Sequence, residues 1–311
     1  MRLKVGMVRE PSDDDGTRSD NNAQPTRRGY LGTAGAIVGA SALLSGNALA
    51  GDKKKKKKKE VEVVDPGEDN AVEDTTVFEE TARVVIDEPG DYVLDEDFSI
   101  EGGEIGILIQ SSLVRFNGQG NTISGDGGGR GVFIDGDIAT NVVVQNLAVE
   151  DLGKGVEAFE PNNSVISEIV GENCGDGVDI NNDASDNIVQ DCEFDNSPIR
   201  LDSTNGNLII GSSIVDTEDG PGISVTDSSS NDVINNDITG NDGAGISISA
   251  GINNRVIFNR ITGNGGAGIE LLSEDQNVFL NNDLSDNDGG PCDVEDEDNT
   301  FEGNVPECDL E

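Results

Sequence analysis

Histidine and tryptophan are absent from this 311-residue chain, methionine occurs twice, and 20 basic residues face 62 acidic ones. Aromatic residues are also scarce, at nine Phe and two Tyr. So few cations leave no basic face to neutralise phosphates, which excludes nucleic acid as a partner. No window carries a helical apolar stripe ten residues long, which argues against helical repeats. The net charge of −42 makes the chain repel itself in dilute buffer. In molar salt the Debye length falls to about 3 Å and that repulsion is screened. A disordered acidic protein shares this composition, but the regularly placed Val and Ile residues require a fold.

The acidity resembles that of proteins from halophilic archaea. At the N-terminus, "TRRGYLGTAGAIVGASALLSGNALA" (26–50) joins Arg27-Arg28 and Tyr30-Leu31 to a Gly/Ala-rich apolar core and an Ala-x-Ala end. It resembles a twin-arginine export signal, with cleavage expected after Ala50 and a secreted or cell-surface destination. An apolar stretch of about 15 residues is too short and too glycine-rich for a membrane span, so the mature chain is expected to carry no transmembrane helix. Residues 51–80 hold the Lys53–Lys59 run and an acidic stretch, which read as a disordered linker. A tether to an anionic cell surface is the sharper alternative. Beyond residue 59 only seven basic residues remain: Arg83, Arg115, Arg130, Lys154, Arg200, Arg255 and Arg260.

What is abundant is a repeat. A Gly, or a Pro in its place, opens a short "G-I-x-I" pattern at Gly106, Gly131, Gly155, Gly177, Pro198, Gly222, Gly245, Gly268 and Pro291, at intervals of 21 to 25 residues. Between these lies N-x-V-x-x-N-x-I-x-x-N, as in Asn231, Val233, Asn236, Ile238 and Asn241, returning from Asn254 and Asn277. Degenerate copies begin at Asn141, Asn163, Asn187 and Asn207. A fixed period of this length means a solenoid, and the alternation of apolar and polar residues means strands with one buried face. Leucine-rich repeats need an L-x-x-L-x-L frame that is missing, and propeller blades need about 40 residues. The expectation is an all-β coil with parallel strands stacked turn on turn, Ile, Val and Leu in the bore, and Gly and Asn at corners where φ is positive. Inward Asn residues at equivalent corners are expected to stack their amides into ladders.

The N-x-V-x-x-N-x-I-x-x-N-x-x-x-G-I-x-I unit resembles the right-handed parallel β-helix repeat family. That family includes pectate-lyase-like enzymes, carbohydrate-binding and sugar-hydrolysing domains and NosD-like periplasmic proteins. The likeness covers residues 81–304 and implies eight to nine turns, followed by a tail at 305–311. The segment "ARVVIDEPGDYVLDEDFSI" (82–100) looks like the strand pair with a Pro-Gly turn that caps such helices. The Gly-His-Gly element of polygalacturonase-like members and the R-x-P-x-x-R run of pectate lyases are missing. The copper association of NosD-like proteins carries over poorly, since Met1 and Met7 precede the expected cleavage and the chain has no His. No cofactor is required on this reading. Ca²⁺ is the ion the acids suit, although no D-x-D-x-D-G loop is present.

Alternation points the x of each "G-I-x-I" outward: Leu108, Phe133, Glu157, Asp179, Arg200, Ser224, Ser247, Glu270 and Asp293. Two positions on, Asp135, Phe159, Asn181 and Asp202 form a parallel column. Turns lie about 4.8 Å apart, so Glu157, Asp179 and Arg200 are expected as consecutive steps of one ladder. Phe133 and Phe159 are expected exposed beside them, with Asp135, Asn181 and Asp202 completing a sugar-binding face. As enzyme residues, Glu157 and Asp179 would be the acid pair and Arg200 the charge stabiliser, for glycoside hydrolysis or uronate elimination. Against this, so acidic a chain places carboxylates on most solvent faces. The functional readings are therefore a polysaccharide- or envelope-glycan-binding protein, a polysaccharide lyase or glycoside hydrolase in the same groove, or an adhesive spacer. Cys292 and Cys308 are expected to pin the C-terminal end as a disulfide. Cys174 and Cys192 are a second candidate pair, with buried free thiols as the alternative.

Overall fold

A computed structural model of the protein describes residues 62–64, 82–272, 276–294 and 298–308. The export signal, its cleavage point and the Lys53–Lys59 run lie outside the described residues. Short apolar-alternating segments that end in Gly, Asn or Asp are too brief for helices, and among the described residues there is none. Instead ten strands form one parallel sheet: Ala82–Ile86, Ile105–Ile109, Arg130–Asp135, Lys154–Phe159, Asp176–Asn181, Ile199–Asp202, Ile223–Thr226, Ile246–Ser249, Ile269–Leu272 and Cys292–Val294. The remaining strands form a seventeen-stranded parallel sheet that wraps the rest of each turn. The result is an all-β parallel β-helix of about nine turns with rungs of about 23 residues.

The bore is filled by one inward apolar residue per strand position, such as Val156, Val178, Ile199 and Ile223 along one row, all buried. Phe116, Phe194 and Phe279 are the largest fully buried side chains.

Each corner of the seventeen-stranded sheet is a two-residue device. One residue takes a left-handed backbone: Asp186, Gly206, Ser230 and Asn253 have φ between 57° and 69°. The next turns inward and joins a ladder: Asn187, Asn207, Asn231 and Asn254 are all buried. The side-chain oxygen of Asn254 accepts from the backbone N–H and the side-chain amide of Asn231, at 2.9 and 3.2 Å. Asn254 in turn donates to Asn277 Oδ1 and to the Ser228 carbonyl, at 3.2 and 2.9 Å. Three such ladders run up the coil, through Asn231, Asn236 and Asn241 and their equivalents. The amide side chain thus replaces water for backbone groups that the bend leaves unpaired.

Two expectations about corners change. Asn141 and Asn163 are not ladder members. They are exposed left-handed residues, φ 57° and 56°, and Ser164 occupies the ladder position, accepting from Val142 N–H and sitting below Asn187. The glycines that open "G-I-x-I" are needed for close approach rather than for positive φ. A Cβ at Gly155 would lie 2.6 Å from the Gly177 carbonyl oxygen.

The 82–100 segment does hold two strands about a Pro-Gly turn, and each belongs to a different sheet of the coil. Ala82–Ile86 pairs in parallel with Ile105–Ile109, and beyond the Pro89-Gly90 turn Asp91–Leu94 enters the other sheet. Glu62–Val64, within the stretch read as linker, adds a parallel strand to Asp91–Leu94. At the other end Cys292 and Cys308 form a disulfide, with Cα atoms 5.4 Å apart. Cys174 and Cys192 are separate buried thiols, which overturns their pairing. The reason is their place in the coil: Cys192 N–H bonds to Ser212 in one corner ladder, Cys174 N–H to Ser197 in another.

Candidate functional site

Strand register brings the outward residues into the anticipated ladder. Phe133, Glu157, Asp179, Arg200 and Ser224 are successive partners, and Asp135, Phe159, Asn181, Asp202 and Thr226 run beside them. Phe133, Glu157, Asp179, Arg200, Phe159, Asn181 and Asp202, with Arg130 and Lys154 from the strand starts, line a groove of about 360 Å³ on the ten-stranded sheet, whereas Asp135, expected in the sugar-binding face, does not line it.

Coverage of that face departs from expectation. Along later strands burial alternates, but in Arg130–Asp135, Lys154–Phe159 and Asp176–Asn181 the central outward residue is buried as well. Phe133 is buried rather than exposed. The Arg130 guanidinium lies 5.2 Å from its ring centre, Phe159 packs tilted at 6.4 Å, and Ile105 and Ala82 complete a small outer apolar cluster. Phe159 is half-buried. Glu157 and Asp179 are 4% and 3% exposed.

Carboxylates so covered must be paired. Arg130 Nε donates to Glu157, and Lys154 Nζ bridges Glu157 Oε1 and Asp179 Oδ2, each at 2.5 Å. Asn181 Nδ2 ties the same two carboxylates, 2.9 Å from Asp179 Oδ2 and 3.2 Å from Glu157 Oε1. Burial alone would raise the Glu157 carboxyl, but the Lys154 hydrogen bond and charge, with Arg130 behind them, hold it below the ordinary range. Burial likewise works against the Lys154 ammonium, yet its bonds to Asp179 and Glu157 keep it raised. Half-buried Asp176 behaves oppositely: burial, then the Asp179 charge, push it up to about 6. At the outer edge Arg200 Nη2 lies 2.8 Å from Asp202 Oδ2.

Two acceptors remain unsatisfied. Asp179 Oδ1 and Asn181 Oδ1 are buried and have no hydrogen-bond partner. They lie on one rung, two residues apart, and both residues line the groove. A buried acceptor without a donor is costly, and hydroxyl or amine hydrogens are what these two oxygens could accept.

Sequence reasoning placed the ladder but missed Arg130, Lys154 and Asp176. A signal was present. These three precede the repeat Gly on consecutive turns, where other turns carry Ile105, Ser197, Pro221, Ala244, Ala267 and Gly290. Charge appears in that column only beside the groove.

A family model described as "Periplasmic copper-binding protein (NosD)" matches residues 116–307. No curated protein matches the chain. Among solved structures it is similar to a mutant of the periplasmic alginate epimerase AlgG, at 11% identity and TM-score 0.49, over 70% of this chain and 75% of that one. The A-module of mannuronan C-5 epimerase AlgE6 from Azotobacter vinelandii aligns at 16% identity and TM-score 0.49, over 73% and 74%. The enzymatically active domain of tailspike protein 2 from bacteriophage CBA120 aligns at 13% identity and TM-score 0.46, over 65% and 38%. The residues here do not fit the metal in the family description. The chain has no His, and its two free thiols are buried in different corners. Among the described residues no group of three or more Cys, Asp or Glu is arranged to hold an ion.

Proposed function

The chain belongs to the NosD family of β-helix proteins, and on that premise we propose that it is exported and binds polysaccharide in the groove between Phe159 and Asp202. The observation that carries this is the pair of unsatisfied acceptors, Asp179 Oδ1 and Asn181 Oδ1. Two acceptors on one rung suit neighbouring hydroxyls of a sugar, which would relieve both at once. Around them the ion-paired Arg130, Lys154, Glu157 and Asp179 form a rigid floor, Phe159 offers a half-exposed ring, and Arg200 stands at the open edge. Three of the seven cations beyond residue 59 gather in this groove. Here they balance Glu157, Asp179 and Asp202, so the groove does not repel an acidic glycan as the rest of the surface does.

The test is calorimetric titration of residues 51–311 with uronate and neutral hexasaccharides in molar KCl. Arg200→Ala and Phe159→Ala should each weaken groove binding by about ten-fold, one well-placed contact. No binding to any of them, or parental affinity retained in both variants, would overturn the reading and favour an adhesive spacer.

Asp176, register partner of the groove-lining Lys154, supports a second reading, as a lyase or hydrolase. A carboxyl raised to about 6 beside Lys154 and Arg200 can hold a proton near neutrality, as a general acid must. Glu157, held ionised, suits charge placement rather than proton donation. New reducing ends or unsaturated-uronate absorbance, abolished by Asp176→Asn, would establish it; silence in the parent would end it.

A further inference from the structure

On the seventeen-stranded sheet, away from the groove, lies a second hollow of about 480 Å³. Its floor is a gap in the outward column. Glu193, Ser213, Asp237 and Arg260 are successive register partners, so the small Ser213 sits between long neighbours. Gly211 does the same in the adjoining corner column, between Asp191 and Asn235. Arg260 Nη1 lies 2.7 Å from Asp237 Oδ1, which engages one of the five guanidinium N–H donors.

The wall at the far rung is Phe258. From residue 191 onward its corner column is occupied by Asp191, Gly211, Asn235, Asn281 and Gly303, all with φ between 54° and 68°. Those residue types tolerate the left-handed region. Phe does not, yet Phe258 holds φ 59° and leaves half of its surface in solvent. A backbone cost that leaves half of the ring uncovered marks a residue kept for what it presents.

We propose that this hollow is a second carbohydrate site, for an uncharged sugar chain stacked on the Phe258 ring. Asp191, Glu193 and Asp237 accept from hydroxyls and Arg260 donates to them. Three carboxylates against one guanidinium repel a uronate, unlike the charge-balanced groove. From the Glu193 rung to the Arg260 rung is about 14 Å, room for two or three sugar units. The site stands on its own observations and does not require the groove to bind.

Glucose-, mannose- and galactose-based neutral hexasaccharides serve as probes, titrated into the full chain in molar KCl. At least one should bind the parent. Phe258→Asn, which installs the residue type the corner prefers, should weaken that isotherm by ten-fold or more while raising the melting temperature by about 2–4 °C. Phe258→Tyr should retain binding. No binding to any of the three, or equal affinity in Phe258→Asn, would overturn the proposal. Loss caused by Arg200→Ala instead of Phe258→Asn would assign the isotherm to the groove and also overturn it.

Discussion

Lys154 touches both Glu157 and Asp179 in the groove floor. Lys154→Met removes it and leaves two covered carboxylates short of charge, so urea unfolding at pH 7 should show a loss of about 3–5 kcal/mol. A loss near zero would mean that the ladder tolerates both anions without it. Asp176 makes a prediction of opposite sense. Its carboxyl holds a proton up to about 6 in the fold against an ordinary value of 3.8. The folded chain therefore binds more protons between those values, and stability from this group falls as pH rises from about 4 to about 6. Asp176→Asn should be neutral below about pH 4 and stabilising at pH 7 by about 1–3 kcal/mol, read from paired unfolding curves. The pairing of Glu157 with Asp179 was legible because period-2 alternation fixes which side chains share a face. Their burial was not, because it depends on Arg130 and Lys154 folding over the neighbouring rungs.

Each rung depends on corners that differ from neighbour to neighbour by a single residue's role. Asn254 is buried and spends its amide on Ser228 and Asn277 while receiving from Asn231. Asn253, one residue earlier, is exposed at φ 60°. Thermal or denaturant unfolding should separate them: Asn254→Ala should cost about 2–4 kcal/mol by orphaning two backbone groups, and Asn253→Ala about 1 kcal/mol by backbone strain alone. Equal costs would remove the distinction between ladder and bend. The sequence pattern showed the Asn columns where three full repeats stand in a row, at 231–287. It misplaced their start at Asn141 and Asn163, since a left-handed Asn and a ladder Asn one position apart look alike to a spacing rule.

Across the molecule all seven cations beyond residue 59 sit in ion pairs, among them Arg83 with Glu104, Arg115 with Asp91 and Arg255 with Asp232. Acidic residues far outnumber these pairs, and a net charge of −42 leaves most of them facing like charge. Raising KCl from about 0.1 M to molar concentration should therefore raise the unfolding midpoint, because screening relieves the folded state's self-repulsion more than it weakens close pairs. A midpoint that falls with salt would make the ion pairs, rather than the repulsion, the controlling term. By itself the sequence determined the coil, its period, its apolar bore and the order of residues up each outward column, because strand alternation and a 23-residue repeat admit one stacking. Tertiary structure alone decided which outward residues are covered, that Cys174 and Cys192 stand in different corners, and where Asp179 and Asn181 keep unsatisfied oxygens. Those outcomes turn on the reach of side chains from adjacent rungs, a distance in space that spacing along the chain does not encode.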